Sequence, residues 1–334
     1  MMEQGTAWDL VATLEAQAEA QEALDNRAGL LDTLSKLAAV LRELNQEGRT
    51  RSVLQQAYHV AGTIEDRPGM APALHRLGSL YHLQGGWDRA LELYHRALAL
   101  QKEAQDRKGI ATTLGSIAQA FQARGQFRKA LETYEASLRL KTDLQDWPGL
   151  ALTWNNIGAV KARLGDFSGA MEALRGSLQM QEHLGDIVGR AVTLANIGDI
   201  HQRQGSWQEA RGVLEESLIL YERAQDALGM ATTLNALGLV QRRLGDLDGA
   251  YQRYARAKEL MQGSGDLLRA TIPTHNMALI HEERGEFREA LRLMEEVISI
   301  DKRIGHPDLR RDLEAFGRIR GKLDRQRDQL PSGH

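Results

Sequence analysis

Cysteine is absent from the 334 residues. That excludes disulfides, thiolate metal sites and a cysteine nucleophile, and it fits a reducing compartment. No apolar run reaches the roughly 18 residues that a membrane-spanning helix needs. The opening MMEQGTAWDLVATLEAQ has neither a basic stretch nor an apolar one, so it does not read as a signal peptide. Proline is scarce, at 6 residues, and no Ser/Gly/Pro-rich linker interrupts the chain. Charge of one sign is lacking too. A formal net charge of −3 gives no electrostatic ground for nucleic acid or an anionic membrane as partner. The expected location is the cytoplasm. What the chain does have is 42% hydrophobic and 26% charged residues, enough to bury a core and stay soluble.

What it has most of is repetition. Gly85, Gly125, Gly165, Gly205, Gly245 and Gly285 stand 40 residues apart, and so do Ala90, Ala130, Ala170, Ala210, Ala250 and Ala290. Asp66, Asp106, Asp146, Asp186, Asp226 and Asp266 keep the same period. A bulky residue sits between each Gly and Ala: Trp87, Phe127, Phe167, Trp207, Leu247 or Phe287. A fixed period in this range marks a solenoid or a related array. Within one period the apolar spacing is helical: Leu74, Leu77, Leu80 and Tyr81 share one face, and Ala90, Leu91, Tyr94, Ala97 and Leu98 share another. Gly85 ends the first helix by accepting the left-handed conformation. Asp106 is placed to cap the next helix, and Pro68 and Pro148 occupy first-turn positions. Each repeat therefore reads as helix, Gly turn, longer helix and Asp turn. The small residues Gly78, Ala90 and Ala97 let helices approach closely.

The string Leu74-x-x-Leu77-Gly78-x-x-Tyr81-x-x-x-Gly85-x-x-x-x-Ala90-x-x-x-Tyr94-x-x-Ala97 resembles the tetratricopeptide signature, and Trp154 supplies its opening aromatic in a later repeat. The usual period is about 34 residues. The longer form here is similar to the arrays of Pins/LGN-type polarity adaptors and kinesin light chains, and to those of maltose-activator-type bacterial regulators. The resemblance implies an all-α fold, a right-handed superhelical solenoid of antiparallel helix pairs with six to seven repeats. The register gives a capping helix at 7–26, an atypical repeat at 27–66, and repeats at 67–106, 107–146, 147–186, 187–226, 227–266 and 267–306. A second capping helix covers 307–328, followed by a tail at 329–334. In 27–66 the turn Gly is replaced by Asn45 and the small Ala by Thr50; in the last helix Gly317 and Arg318 replace the Leu-Gly pair.

The resemblance also implies a concave groove, lined by the first helices, that holds a peptide or a helix of a partner protein. Its candidate residues are His75, Arg76, Gln119, Asn155, Asn156, Asn196, Asn235 and Asn276, with Arg163, Arg203 and Arg243 near the helix ends. Asn is a poor helix-interior residue, so five in nearly one register need a reason. Either the amides hold a bound peptide backbone, as the resemblance to Pins-like arrays implies for Asn156, Asn196 and Asn276, or they bond to the neighbouring repeat. The second Asn that such arrays often carry three residues on is here Ala159, Asp199 or Leu279. The three Arg either favour an acidic ligand or stabilise the helix dipole.

Catalytic chemistry is not indicated. HEERGE, at 281–286, lacks the second His of a zinc-protease motif, no phosphate-loop pattern occurs, and Ser137, Ser177 and Ser217 share the small-residue position of Ala97. No cofactor or metal is expected. The leading expectation is a non-enzymatic protein-interaction scaffold; the alternatives are a ligand- or peptide-responsive regulator and a self-assembling scaffold. The protein is expected to be a monomer, or a homo-oligomer joined through Trp8, Leu10 and Leu14 on the first helix and Phe316 and Ile319 on the last.

Overall fold

The computed structural model describes residues 4–44, 46–64, 70–304 and 308–328. Asn45, Asp66, Pro68 and the tail 329–334 lie outside the described residues. Among those described, every regular element is a helix: α1 Gln4–Ala23, α2 Arg27–Glu43, α3 Glu47–Thr63, α4 Ala71–Leu83, α5 Trp87–Glu103, α6 Arg107–Ala123, α7 Phe127–Asp143 and α8 Trp147–Arg163. There follow α9 Phe167–Leu184, α10 Ile187–Gln204, α11 Trp207–Ala224, α12 Ala227–Arg243, α13 Leu247–Gly263, α14 Leu267–Glu283, α15 Phe287–Ile304 and α16 Leu309–Asp328. The fold is an all-α solenoid of antiparallel pairs, first helix with second, such as α4 with α5, α6 with α7, and α12 with α13. The chain forms two compact units, residues 1–173 and 174–334, each described here by itself.

Local chemistry sets the helix ends. The carboxylates of Asp106, Asp146, Asp186 and Asp226 accept from the N–H of Gly109, Gly149, Gly189 and Gly229 at 2.8–3.1 Å, and Asp266 accepts from Arg269 at 2.9 Å. Each satisfies one amide that the first turn leaves unpaired. A Cβ at Gly109 would meet the capping oxygen of Asp106 at 2.2 Å, which accounts for the Gly in that register. From α6 to α15 first and second helices differ by at most one residue: α6 and α7 have 17 residues each, α8 and α9 have 17 and 18, α10 and α11 have 18 each. The expected longer second helix occurs in the repeat of α4 and α5, with 13 and 17 residues, and not in the later ones beyond a single residue.

The turns after the first helices carry Gly85, Gly125, Gly165, Gly205, Gly245 and Gly285 at φ between 72° and 87°. The turns before the Asp caps need the same left-handed geometry, and there Gln105, Gln145 and Gln225 adopt it at φ 54–55°, where Gly185 and Gly265 serve in other repeats. Such a residue costs about 1–2 kcal/mol that glycine avoids. The crossing of each pair is tight. Ala90, Ala130, Ala170, Ala210, Ala250 and Ala290 have no exposed surface, and a Cβ on Gly78, Gly198 or Gly238 would fall 2.7–2.8 Å from the side chain of Tyr94, Leu214 or Tyr254.

The ends are closed by their own chain. Val11 and Leu14 of α1 pack on Leu37 and Leu41, with Leu10 against them. Ala315 and Ile319 of α16 join Ala290 and Leu293, with Phe316 alongside. Leu14 and Ile319 are buried, so these two residues offer no surface for joining two copies. Only Trp8 of the five stands exposed, with the Arg49 guanidinium over its ring at 5.6 Å.

Arg318, one of the residues that departs from the repeat pattern, clamps the cap. Its guanidinium donates to both oxygens of Glu282 on α14 at 3.0 and 2.8 Å, and Lys322 reaches the same carboxylate at 2.8 Å. The hydrogen bonds from Arg318 are the main cause that lowers the Glu282 pKa to about 2, against the opposing effect of burial. The folded pKa lies below the unfolded one, so the stabilisation is complete above the unfolded pKa and is lost as pH falls toward 2. Paired melts of wild type and Glu282→Gln should differ by about 1–3 kcal/mol at neutral pH, allowing for screening by solvent, and converge steadily below the ordinary glutamate range. A gap that stays constant with pH would contradict the clamp.

Candidate functional site

Within each unit the first helices lie side by side: α2 on α4 and α4 on α6 in one, α10 on α12 in the other. Neighbouring second helices, such as α3 and α5, do not pack on one another to that extent. The first-helix face is therefore the closely knit one, and the candidate residues stand on it.

Several of them bond across adjacent repeats with one offset. The residue one before the register position of Asn156 meets the residue at that register position in the next repeat, 41 positions on. Ser35 accepts from Arg76 at 2.8 Å, and the same guanidinium nitrogen donates to Asp32 at 2.9 Å. His75 Nε2 lies 3.1 Å from Ser116 Oγ. Asn276 Nδ2 donates to Asn235 Oδ1 at 3.0 Å. Asn155 is buried, Asn156 and Asn196 are half-buried, and Asn155 and Asn196 are also partnered. Burial lowers the His75 pKa, and the Arg76 charge acts in the same direction, so the ring is neutral at physiological pH.

Gln119 is exposed. The three Arg do not form a row of free cations. Arg163 lies over the Phe127 ring at 5.4 Å and Arg243 over Trp207 at 5.8 Å, each covering the aromatic that opens the preceding second helix. Arg203 pairs with Asp199 at 2.6 Å on its own helix. Arg242, one residue from the candidate, bonds Glu283 of the next repeat at 2.9 Å.

The candidate set misses one column. Leu152, Val192 and Ile272 are 53%, 37% and 49% exposed, four residues ahead of Asn156, Asn196 and Asn276 and so on the same helix stripe. Val188, Leu228 and Leu268 extend it one turn toward the helix starts. The signal was available: Pro72, Thr112, Leu152, Val192, Thr232 and Ile272 share one register position, and three of them are apolar on the exposed stripe of an otherwise well-patterned helix.

Several other polar groups bond within the fold. Ser137 and Ser217 donate to the carbonyls of Ala111 and Ala191 at 2.7 and 2.8 Å. His281 meets Glu286 at 2.5 Å and stacks edge-on to Tyr251; His275 lies 2.7 Å from Asp312. Among the described residues no group of three or more His, Asp or Glu is placed to hold a metal, and no helix is long and apolar enough to cross a membrane.

The Asn235–Asn276 bond has a direct test. In a double-mutant cycle with Asn235→Ala and Asn276→Ala, the melts should give a coupling of about 0.5–1.5 kcal/mol, since helix propensity cancels in the cycle. Strict additivity would mean that the two amides do not stabilise one another.

Comparison with known proteins agrees with the geometry. No curated protein matches the chain in sequence. Solved structures similar to it include BtubC (BKLC) from P. vanneervenii, at 19% identity over 75% of this chain and 92% of that one, with a TM-score of 0.53. A Rap protein complexed with competence and sporulation factor aligns at 14% identity over 96% of this chain and 97% of that one, with a TM-score of 0.63. Aspartyl phosphate phosphatase F from Bacillus subtilis aligns at 14% over 81% and 69%, with a TM-score of 0.61. At such identities the likeness speaks for the fold alone. The tetratricopeptide repeat profile matches residues 69–143, 149–223, 189–263 and 229–303, together more than half of the chain. With that match and the helix pairs described above, the chain belongs to the tetratricopeptide repeat family.

Proposed function

We propose that this protein is a cytoplasmic, non-enzymatic interaction scaffold that holds an extended peptide or a helix of a partner protein against its first helices. The observation that carries the reading is the exposed apolar column, Leu152 in one unit and Val192 and Ile272 in the other, set beside amide side chains. Apolar side chains supply area that a partner removes from water, at about 25 cal/mol per Å2. Amides left with spare donors and acceptors match a peptide backbone whatever its side chains. The candidate residues have a double duty in this reading: Asn235, Asn276, His75 and Arg76 hold adjacent repeats together and present what remains of their polar groups to the ligand. The Arg163 and Arg243 side chains, engaged with rings, give only a weak preference for an acidic partner.

A regulator that responds to a signalling peptide is the second reading. It is favoured by the near-complete mutual coverage with the Rap protein bound to competence and sporulation factor. In that case the same face is used, and ligand binding alters a docked effector.

The test is capture from source lysate with Val192→Asp/Ile272→Asp. Both positions are exposed, so the variant should melt within about 0.5 kcal/mol of wild type. It should lose the captured partner at least tenfold, because a carboxylate buried against an apolar ligand is strongly disfavoured. An unchanged catch at an unchanged melt would place the working surface elsewhere.

A further inference from the structure

The cross-repeat bonds of the first-helix face break at one place in the first unit. His75 meets Ser116 and Asn235 meets Asn276, each 41 positions on, but Gly115 has no side chain to offer Asn156. The bond is unmade there and the face is open. A Cβ on Gly115 would come within 4 Å of only two atoms, Ser137 Oγ at 3.8 Å and Lys141 Nζ at 3.9 Å. Ser137 gives its proton to the Ala111 carbonyl, so Lys141 is the donor at the floor of the opening. Where the same register holds Gln21, Gln101 and Gln181, this repeat places a lysine that is only 7% exposed. Two of its three N–H groups go to neutral oxygens, Thr153 Oγ1 at 2.8 Å and the Gly149 carbonyl at 3.2 Å. The Asp146 carboxylate also acts on it, but caps the Gly149 amide at 3.1 Å. Burial lowers the Lys141 pKa and outweighs Asp146, as expected for a cation without a close anion.

We propose that the opening at Gly115 is a subsite for the side-chain carboxylate of an Asp or Glu on the partner peptide, held between the Lys141 ammonium and the Asn156 amide, an inference that rests on the peptide-binding reading above. Charge decides the class. A carboxylate gives the remaining Lys141 N–H a charge-assisted bond, about twice as strong as one to a neutral oxygen, and compensates the buried cation. A carboxamide accepts from the same N–H without that compensation. An ammonium is repelled, and an aliphatic side chain leaves the N–H unmade. The opening corresponds to the side chain that His75, Asn155 and Asn235 carry in this register, a size that suits a carboxyl group. A phosphoryl group is bulkier and presents three acceptor oxygens to two donors. Asn156 is the second donor, because Gly115 makes no claim on its amide. Leu152, one turn before Asn156 on the same stripe and exposed, offers an apolar neighbour to the residue beside the carboxylate.

The test uses the full chain with 13C-labelled lysine side chains and three tripeptides: acetyl-Leu-Glu-Leu N-methylamide and its central Gln and Leu variants. The signal lost in Lys141→Gln identifies Lys141. The Glu tripeptide should shift that signal saturably, raise the pH at which it titrates, and bind about tenfold or more tightly than the other two. Gly115→Asn fills the opening and supplies the side chain that Asn156 lacks, so it should abolish the preference for Glu while the melt holds or rises. Lys141→Gln should abolish it too, keeping a bond to Thr153 as Gln181 keeps one to Thr193. No shift of the Lys141 signal, equal binding of the Glu and Gln tripeptides, or a Glu preference that survives Gly115→Asn would overturn the subsite. If that happens while Val192→Asp/Ile272→Asp still abolishes capture, the subsite fails and the peptide face stands. A retained Glu preference with undiminished capture would instead fault the face.

Discussion

The closeness of the crossing inside each helix pair is the constraint on which the structure depends. Where Gly78, Gly198 and Gly238 face Tyr94, Leu214 and Tyr254, no room exists for a Cβ without displacing a buried side chain. The Ala column from Ala90 to Ala290 sits on the same crossing with no exposed surface. Interiors are packed near crystal density, so this clearance is not adjustable by more than a few tenths of an ångström. Once one crossing is fixed, the turn after it must reverse the chain within a few residues. That demand puts Gly at positive φ after each first helix from α4 to α14 and an Asp cap before the following first helices α6, α8, α10, α12 and α14. The 40-residue register is the sum of these local requirements, repeated.

Placement of the candidate site follows. Packing consumes the inner stripe of every first helix, leaving a stripe one turn away in water. Where that stripe meets the next repeat, polar side chains bond at the 41-residue offset, as Asn276 does with Asn235. Where it does not, apolar side chains such as Ile272 stand exposed. A repeat array thus yields alternating knitted and open positions on one face, a natural way to present both apolar area and hydrogen-bonding groups.

Most of the fold was legible because its determinants are short-range and recur. The Gly, Ala and Asp columns each encode one backbone event, and the structure puts each where its chemistry requires. The Gln residues at positive φ were not legible, since nothing in their side chains announces the conformation; the turn imposes it on Gln105, Gln145 and Gln225. The site was legible only in outline. Register placed Asn235 and Asn276 on a shared face, but whether an amide faces a ligand or its neighbour depends on rotamers and on the spacing between repeats. The role of Arg163 was likewise hidden, because its ring partner Phe127 is 36 positions away on another helix. The terminal apolar residues misled for a related reason: Ile319 looked unpartnered in the repeat register, whereas in α16 it packs into the core beside Ala290 and Leu293.

The most direct test of the crossing constraint compares one substitution at two glycines of the same unit. Gly238 faces the buried Tyr254 ring, whereas Gly212 on α11 has open space around the site of a Cβ. Gly212→Leu should raise the melt modestly, by up to about 1 kcal/mol in helix propensity. Gly238→Leu receives the same propensity gain and should nevertheless lower stability by about 1–3 kcal/mol through overpacking. Shifts of opposite sign are the predicted result. Two shifts of the same sign and size would show that the crossing is not the constraint that sets this fold.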